Sequence, residues 1–259
     1  MKTYTKQQGV LVPENTAAGD TFTTHYLQAR SLEKRVYTDE ELRRLPLVDK
    51  KHPHYAEWAI RRRSANDLFA YLKRHSLLTQ KLEIGCGNGW LSHMLAGLPE
   101  GGITGVDINL PELQQAARVF EEDLAVNLTF MYVDDYAQLS INQKYDVIIF
   151  AASIQYFPDI HAILRIALDR LSDFGEIHII DTHFYREGQL AQARQSSEAY
   201  YRKLGVPDMT SYYHHHTIES FLPYNAHVMD MPVKWYDKLT HKERPFPWIR
   251  IRHSETHAV

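Results

Sequence analysis

From Lys81 to Asp181, short apolar runs alternate with stretches in which apolar side chains recur every three or four residues. The first rhythm predicts strands and the second predicts helices. Strands are expected over residues 81–84, 102–108, 128–133, 145–152 and 176–181. The fourth, YDVIIFAA, is apolar nearly throughout, the pattern of a strand covered on both faces. Helices are expected over 90–98, over 112–124 with Pro111 at the start, and from about Asp159 to Leu171. Five such alternations predict an α/β fold with a doubly wound, mostly parallel sheet and right-handed crossovers. Residues 225–233 and 247–253 read as two late strands, which makes the expected sheet seven-stranded.

Outside this core the pattern weakens. Residues 1–54 have little periodicity, with a loop over 12–20 and a short polar helix over 31–45. A stronger helical stripe runs over 52–75 through Ile60, Leu68 and Tyr71. After Asp181 a helix over about 187–204 leads to the aromatic, His-rich loop SYYHHHT. The expected organisation is a helical N-terminal extension (1–54) and one domain (55–259). Within it lie a core (79–183), a lid or substrate insertion (184–223) and the last strands (224–253).

Composition narrows the partners. The 259 residues carry a formal charge of −3, an ordinary globular balance. That charge is uneven: +5 over residues 1–75, −10 over 76–183 and +2 over 184–259. An acidic middle argues against nucleic acid as the main partner. The single cysteine, Cys86, forms no internal disulfide and no multi-cysteine zinc site. No apolar run reaches the roughly 20 residues of a membrane span, and the N-terminus lacks the apolar stretch of a signal peptide. The expectation is a cytoplasmic protein with a small-molecule partner; the oligomeric state is not readable.

The candidate chemistry centres on Leu82-Glu83-Ile84-Gly85-Cys86-Gly87-Asn88-Gly89-Trp90. This loop joins a strand to a helix at the carboxyl edge of the sheet, where open α/β proteins bind ligands. Its spacing is GxGxG, not the GxGxxG of dinucleotide binders. Glu83 would repel a pyrophosphate but suits a ligand bearing an ammonium and a sulfonium. Asp107 closes the second strand, where a carboxylate accepts hydrogen bonds from ribose hydroxyls.

These segments resemble the class I S-adenosylmethionine-dependent methyltransferases, in particular small-molecule enzymes with a type 11 methyltransferase domain. The resemblance covers about residues 55–183. Leu82–Gly89 is similar to the family's glycine-rich motif, Gly105–Ile108 to its second-strand acidic motif, and Tyr132–Asp135 to its post-third-strand motif. Tyr145–Asp159 and Leu171–Asp181 match the fourth-strand and fifth-strand regions. The resemblance implies S-adenosylmethionine as cofactor. It places Glu83, Gly85 and Gly87 at the methionine portion and Asp107 at the ribose. Asp134 and the Asp135 backbone fall at the adenine, and the Ala151 carbonyl near the ammonium. Cys86, Gly89, Trp90 and Ile108 complete the candidate set. Two departures from the family pattern, Val133 before Asp134 and Ser172–Gly175 before the fifth strand, blur the loop shapes.

The acceptor site is expected on three segments: the loop after the fourth strand (Gln155, Tyr156), the helix near Tyr55, Trp58 and Arg62, and the late insertion (Tyr201, Tyr213, His214). His183, Tyr156 and His214 are candidate bases, a base being needed only where the acceptor keeps its proton. A cysteine-nucleophile mechanism is excluded by the position of Cys86. Ala151–Ile154 lacks the Asn/Asp-Pro-Pro-aromatic run of base N-methylases, and no metal ligand set is expected. The leading expectation is direct SN2 methyl transfer to a small or medium organic acceptor. The alternatives are a non-catalytic S-adenosylmethionine-binding protein, an RNA methyltransferase and, last, an NAD-dependent oxidoreductase.

Overall fold

In the computed structural model, residues 3–14, 21–120, 127–139, 143–229 and 245–253 are described. The five predicted strands are present as β3 (Gln80–Ile84), β4 (Gly102–Asp107), β5 (Leu128–Tyr132), β6 (Tyr145–Ala151) and β7 (Leu171–Ile180). All neighbouring pairs among these five are parallel. The late strands are β8 (Asn225–Val228) and β9 (Ile249–Arg252), with β9 antiparallel to both β7 and β8.

The sheet nevertheless has nine strands among the described residues, not seven. Its order is β1-β2-β5-β4-β3-β6-β7-β9-β8, where β1 (Tyr4–Gln7) and β2 (Val10–Pro13) form an N-terminal hairpin. Val10 and Val12 are buried, and β2 runs parallel to β5, covering an edge that would otherwise be open. The expected loop over 12–20 therefore begins as strand, and residues 15–20 lie outside the described region. The extension is not purely helical. The polar helix expected over 31–45 divides into α1 (Thr21–Leu32) and α2 (Asp39–Arg44). Thr38 and Glu41 form a capping box that restarts the helix at Asp39.

Strand β6 shows how the pattern builds the layers. Val147 and Ile149 join one apolar cluster, with residues of α3 (Tyr55–Arg74), α4 (Trp90–Ala96) and α5 (Leu110–Phe120). Ile148 and Phe150 join the other, with α6 (Ile160–Leu168). All four are fully buried, which is why the strand carries no polar alternation. Asp159 caps α6 by accepting from the His161 and Ala162 N–H groups. The predicted continuation of α5 to residue 124 and of the first late strand to residue 233 lie outside the described residues.

The insertion after β7 contains α7 (Leu190–Leu204) and a 3₁₀ turn over Pro207–Tyr212. It packs on α1 through Ala29, Tyr201, Val206 and Met209, with Tyr26, Tyr156, Tyr212 and Tyr213 against them. Extension and insertion thus meet over the carboxyl edge of the sheet.

Candidate active site

The loop from Gly85 to Gly89 turns at the end of β3 and feeds α4. Gly85 has φ +74°, and a Cβ there would stand 2.5 Å from the Ser153 Cβ. Gly89 has φ +71°, and its Cβ would meet the Phe130 ring at 2.5 Å. Both the backbone angle and the close approach therefore demand glycine. Asp107, at the end of β4, accepts from the Gly87 N–H at 2.7 Å and the Asn109 N–H at 2.8 Å. Glu83 is 2 % exposed and accepts from the Ser92 hydroxyl at 2.5 Å. Burial pushes its carboxyl up to about 8, with Asp107 adding to the rise and the Ser92 bonds opposing it.

Around this loop lies a cleft that opens to solvent. Glu83, Gly85, Cys86, Gly87, Trp90 and Ala151 line it, six of the residues expected at the cofactor. Asp107 holds the loop from behind, and Gly89 packs beneath it against Phe130. Ile108 accepts from the Thr23 hydroxyl of α1 through its carbonyl at 3.5 Å. Asp134 and Asp135 are exposed beyond β5, and Asp135 caps a 3₁₀ turn by accepting from the Ala137 N–H. None of these last five residues lines the cleft.

The opposite wall comes from the predicted helix over 52–75 and from the N-terminal extension, where periodicity is weak. Tyr26 and Arg30 of α1, Arg35, Tyr37, and Trp58 and Arg61 of α3 all line the cleft. Trp58 donates to the Tyr37 hydroxyl at 2.8 Å, and its ring stands edge-on to Trp90 at 5.4 Å. Arg61 lies over the Trp58 ring. Glu57 receives Arg35 through a two-pronged contact at 2.7 and 2.5 Å and Arg61 at 3.0 Å. Burial would raise the Glu57 carboxyl, but these arginines outweigh it and hold it at about 2. Glu33 joins Arg30 at 3.3 Å and Arg35 at 3.2 Å. The signal for this wall was present in the i, i+3 spacing of Trp58 and Arg61. Arg62, which the helix face suggested instead, is exposed.

A second cavity of about 370 Å³ shares Arg30, Arg35, Arg61 and Ala152 with the first. Gln155, Tyr156, Tyr201, Tyr213 and His183 line it, joined by Asp181, Thr182 and Tyr200. Gln155 is a clip as much as a wall. Its amide donates to the Ala152 carbonyl at 2.6 Å and accepts from the Thr182 hydroxyl at 3.0 Å, while its carbonyl accepts from the His214 N–H at 2.7 Å. His214 lines neither cavity, and neither does Tyr55 at the start of α3. The His-rich segment is loop, as its sequence suggests: His215 meets the Ser197 hydroxyl at 2.8 Å, and His216 is buried. Ala152 and Asp181, adjacent at the ends of β6 and β7, have φ of +52° and +57°. Strained backbone at a cavity mouth is a frequent mark of a working site.

The family described as "Methyltransferase domain" matches residues 76–242. The chain belongs to this methyltransferase-domain family. Among curated relatives it is 32% identical over 97 residues to a malonyl-[acyl-carrier protein] O-methyltransferase of Priestia megaterium. It is 30% identical over 115 residues to one of Acetivibrio thermocellus. These stretches cover 37% and 41% of this chain but only 34% and 39% of the relatives. The fold of this methyltransferase domain is also that of the magnesium protoporphyrin IX methyltransferase of Synechocystis, solved with bound S-adenosylhomocysteine. There the TM-score is 0.57 at 16% identity, over 89% of this chain and all of that one. The YcgJ protein of Bacillus gives 0.55 at 12% identity, over 72% of this chain and 98% of that one. Among the described residues, no helix is long and apolar enough to cross a membrane.

Proposed function

We propose that the chain binds S-adenosylmethionine in the glycine-loop cleft and methylates a small organic acceptor held in the neighbouring cavity. The observation that carries this reading is the meeting of the two cavities at Ala152, with the loop and its carboxylates on one side and an aromatic wall on the other. The residues fit the cofactor: Gly85 and Gly89 leave backbone where side chains would intrude, and Glu83 and Asp107 suit a cation and ribose hydroxyls. When bound, S-adenosylmethionine supplies an electrophilic methyl group on a positively charged sulfur.

The chain's own groups then perform the remaining tasks. Asp107 would accept from the sugar hydroxyls while holding the Gly87 and Asn109 N–H groups, with Asp134 and Asp135 beyond β5 toward the adenine. Gln155 fixes the loop after β6 to the end of β7, so that the wall between the two ligands keeps its shape. Tyr156, Tyr200, Tyr201 and Tyr213 exclude water and present flat apolar surface to the acceptor. Asp181, His183 and Tyr156 stand on that wall as the groups able to take a proton from an acceptor that arrives with one. Arg30, Arg35 and Arg61 favour an acceptor that carries an anionic group, a chemistry in keeping with the malonyl group named for the curated relatives. The three cations face two carboxylates, Glu33 and Glu57, so this cluster keeps a net positive charge.

Calorimetric titration with S-adenosylmethionine tests the first half. Binding at micromolar concentration is expected, and no heat at millimolar ligand would overturn it. Incubation with a panel of small carboxylic acids, amines and phenols tests the second. S-adenosylhomocysteine formed only when an acceptor is present is the expected product, and carboxylic acids are expected to lead the panel.

A further inference from the structure

Glu112, in the first turn of α5, belongs to no motif of the glycine loop, yet it lines the cofactor cleft. Its Oε2 lies 3.3 Å from the point a Cβ on Gly87 would occupy, so it stands beside the turn that receives the ligand. It is held there by the Asn109 amide, which donates at 2.9 Å. Asn109 is itself fixed, because its N–H donates to Asp107. Three carboxylates from three different elements thus surround one short loop: Glu83 from β3, Asp107 from β4 and Glu112 from α5.

Resting on the cofactor reading above, we propose that Glu112 is a specificity-determining residue of the cleft. Together with Glu83 and Asp107 it selects the charged sulfonium of S-adenosylmethionine over the neutral thioether of S-adenosylhomocysteine. The two ligands differ by one methyl group and one positive charge. A cleft lined by two carboxylates, Glu83 and Glu112, with the Asp107 carboxylate behind its loop, distinguishes them by charge where shape offers little. An enzyme that binds its product less tightly than its substrate is also less easily held up by that product.

Glu83 and Glu112 relieve the repulsion within this group by holding protons. Burial pushes Glu112 up to about 7, and the Asp107 charge adds to the rise. Arg30 and the Asn109 amide oppose it. Glu83 is raised to about 8, again by burial first. The remaining groups facing Glu112 are Tyr26 on α1 and the Cys86 thiol, both pushed well above their ordinary ranges and therefore neutral. Arg30 is shared with Glu33, and Arg35 and Arg61 are engaged by Glu57. A fixed positive charge entering the cleft favours the ionised carboxylates, so protons leave as the sulfonium binds. Affinity for the sulfonium ligand therefore strengthens as pH rises from 6 to 8, and affinity for the thioether rises less.

The test is calorimetry on the full chain with S-adenosylmethionine and S-adenosylhomocysteine, in two buffers of different ionisation enthalpy, at pH 6, 7 and 8. More protons are expected to be released by the first ligand than by the second. The ratio of their affinities is expected to rise about tenfold across that range. In Glu112→Gln the rise flattens, sulfonium affinity at pH 8 falls about tenfold, and thioether affinity stays within about twofold. The amide keeps an oxygen for Asn109, so the unliganded variant is expected to melt at or above the wild-type temperature. If it does not fold, the wild-type proton counts and pH profile decide alone. Equal proton release by both ligands, a ratio independent of pH, or equal weakening of both ligands in the variant would overturn the proposal. Binding of neither ligand by wild type would instead remove the cofactor reading, and this proposal with it.

Discussion

At the scale of single residues, the loop after β3 tolerates little, because backbone angle and packing agree on each glycine. In Gly85→Ala the new methyl meets Ser153, whose hydroxyl is already committed to the Ile84 carbonyl at 2.6 Å. Neither the positive φ nor the contact can relax without opening the joint between β3 and β6. A loss of about 2–3 kcal/mol is expected from the urea midpoint, together with failure to bind S-adenosylmethionine. Asp107 makes a different case. Its two oxygens accept from two backbone N–H groups, so Asp107→Asn must aim an NH₂ donor at one of them. The loop is expected to lose its set, and S-adenosylmethionine affinity to fall about 10–100-fold by calorimetry while the melting temperature changes by only a few degrees. A fall in affinity no larger than that of an exposed control such as Asp173→Asn would remove Asp107 from the site.

At the scale of elements, β9 shows how a late strand is tied to a sheet begun far earlier in the chain. Glu176 of β7, 1 % exposed, accepts from the Tyr71 hydroxyl at 2.8 Å and from Arg252 at 2.7 Å. The Trp248 indole, a donor only, gives its N–H to His178 Nδ1 at 2.9 Å. The proton of this imidazole is thereby placed on Nε2, which donates to Glu176 at 3.1 Å. Burial lowers the affinity of His178 for a second proton, so the ring is neutral. Burial alone would raise Glu176, but its donors outweigh that and hold it at about 2, against an ordinary 4.5. Both groups therefore bind protons more weakly folded than unfolded. Their stabilisation is complete above about pH 6.5 and is lost as pH falls, first through His178 and then through Glu176. Glu176→Gln is expected to cost about 3 kcal/mol at pH 7 and to flatten the decline in urea midpoint between pH 5 and pH 3. An unchanged acid decline would show that other carboxylates set it. The sequence made β6 and the strands around it legible because burial on both faces leaves an unbroken apolar run. It did not show β1 and β2, since four-residue strands, one of them three-quarters exposed, carry too little apolar pattern to register. The same holds for the site. Glu83 and Asp107 stand at strand ends that periodicity locates, whereas Arg30, Arg35 and Glu112 reach the cleft through tertiary packing that leaves no local trace.

At the scale of the whole molecule, the roof of the site joins two segments nearly 180 residues apart in sequence. Phe22 of α1 stands edge-on to Tyr156 at 5.7 Å and to Tyr212 at 5.4 Å, and Tyr26 meets Tyr156 at 5.6 Å. The Tyr200 hydroxyl closes the far end by donating to Glu33 at 2.5 Å. These rings bridge the extension to the insertion, with Tyr156 of the loop after β6 between them. Because α1 also lines the glycine-loop cleft through Tyr26 and Arg30, loosening the roof is expected to weaken S-adenosylmethionine binding. Each aromatic pair contributes about 0.5–1.5 kcal/mol beyond its buried area, so Phe22→Ala removes enough to unlatch the roof without unfolding the sheet. Hydrogen exchange is expected to quicken in residues 21–32 and 207–213 together and to stay at wild-type rates in β3, β4 and β6. S-adenosylmethionine is expected to slow exchange in both segments of the wild type at once. In the variant its affinity is expected to be about fivefold weaker, the roof having to close before binding is complete. If only residues 21–32 respond, while 207–213 keep their protection, then extension and insertion are separate covers and the roof is not one body.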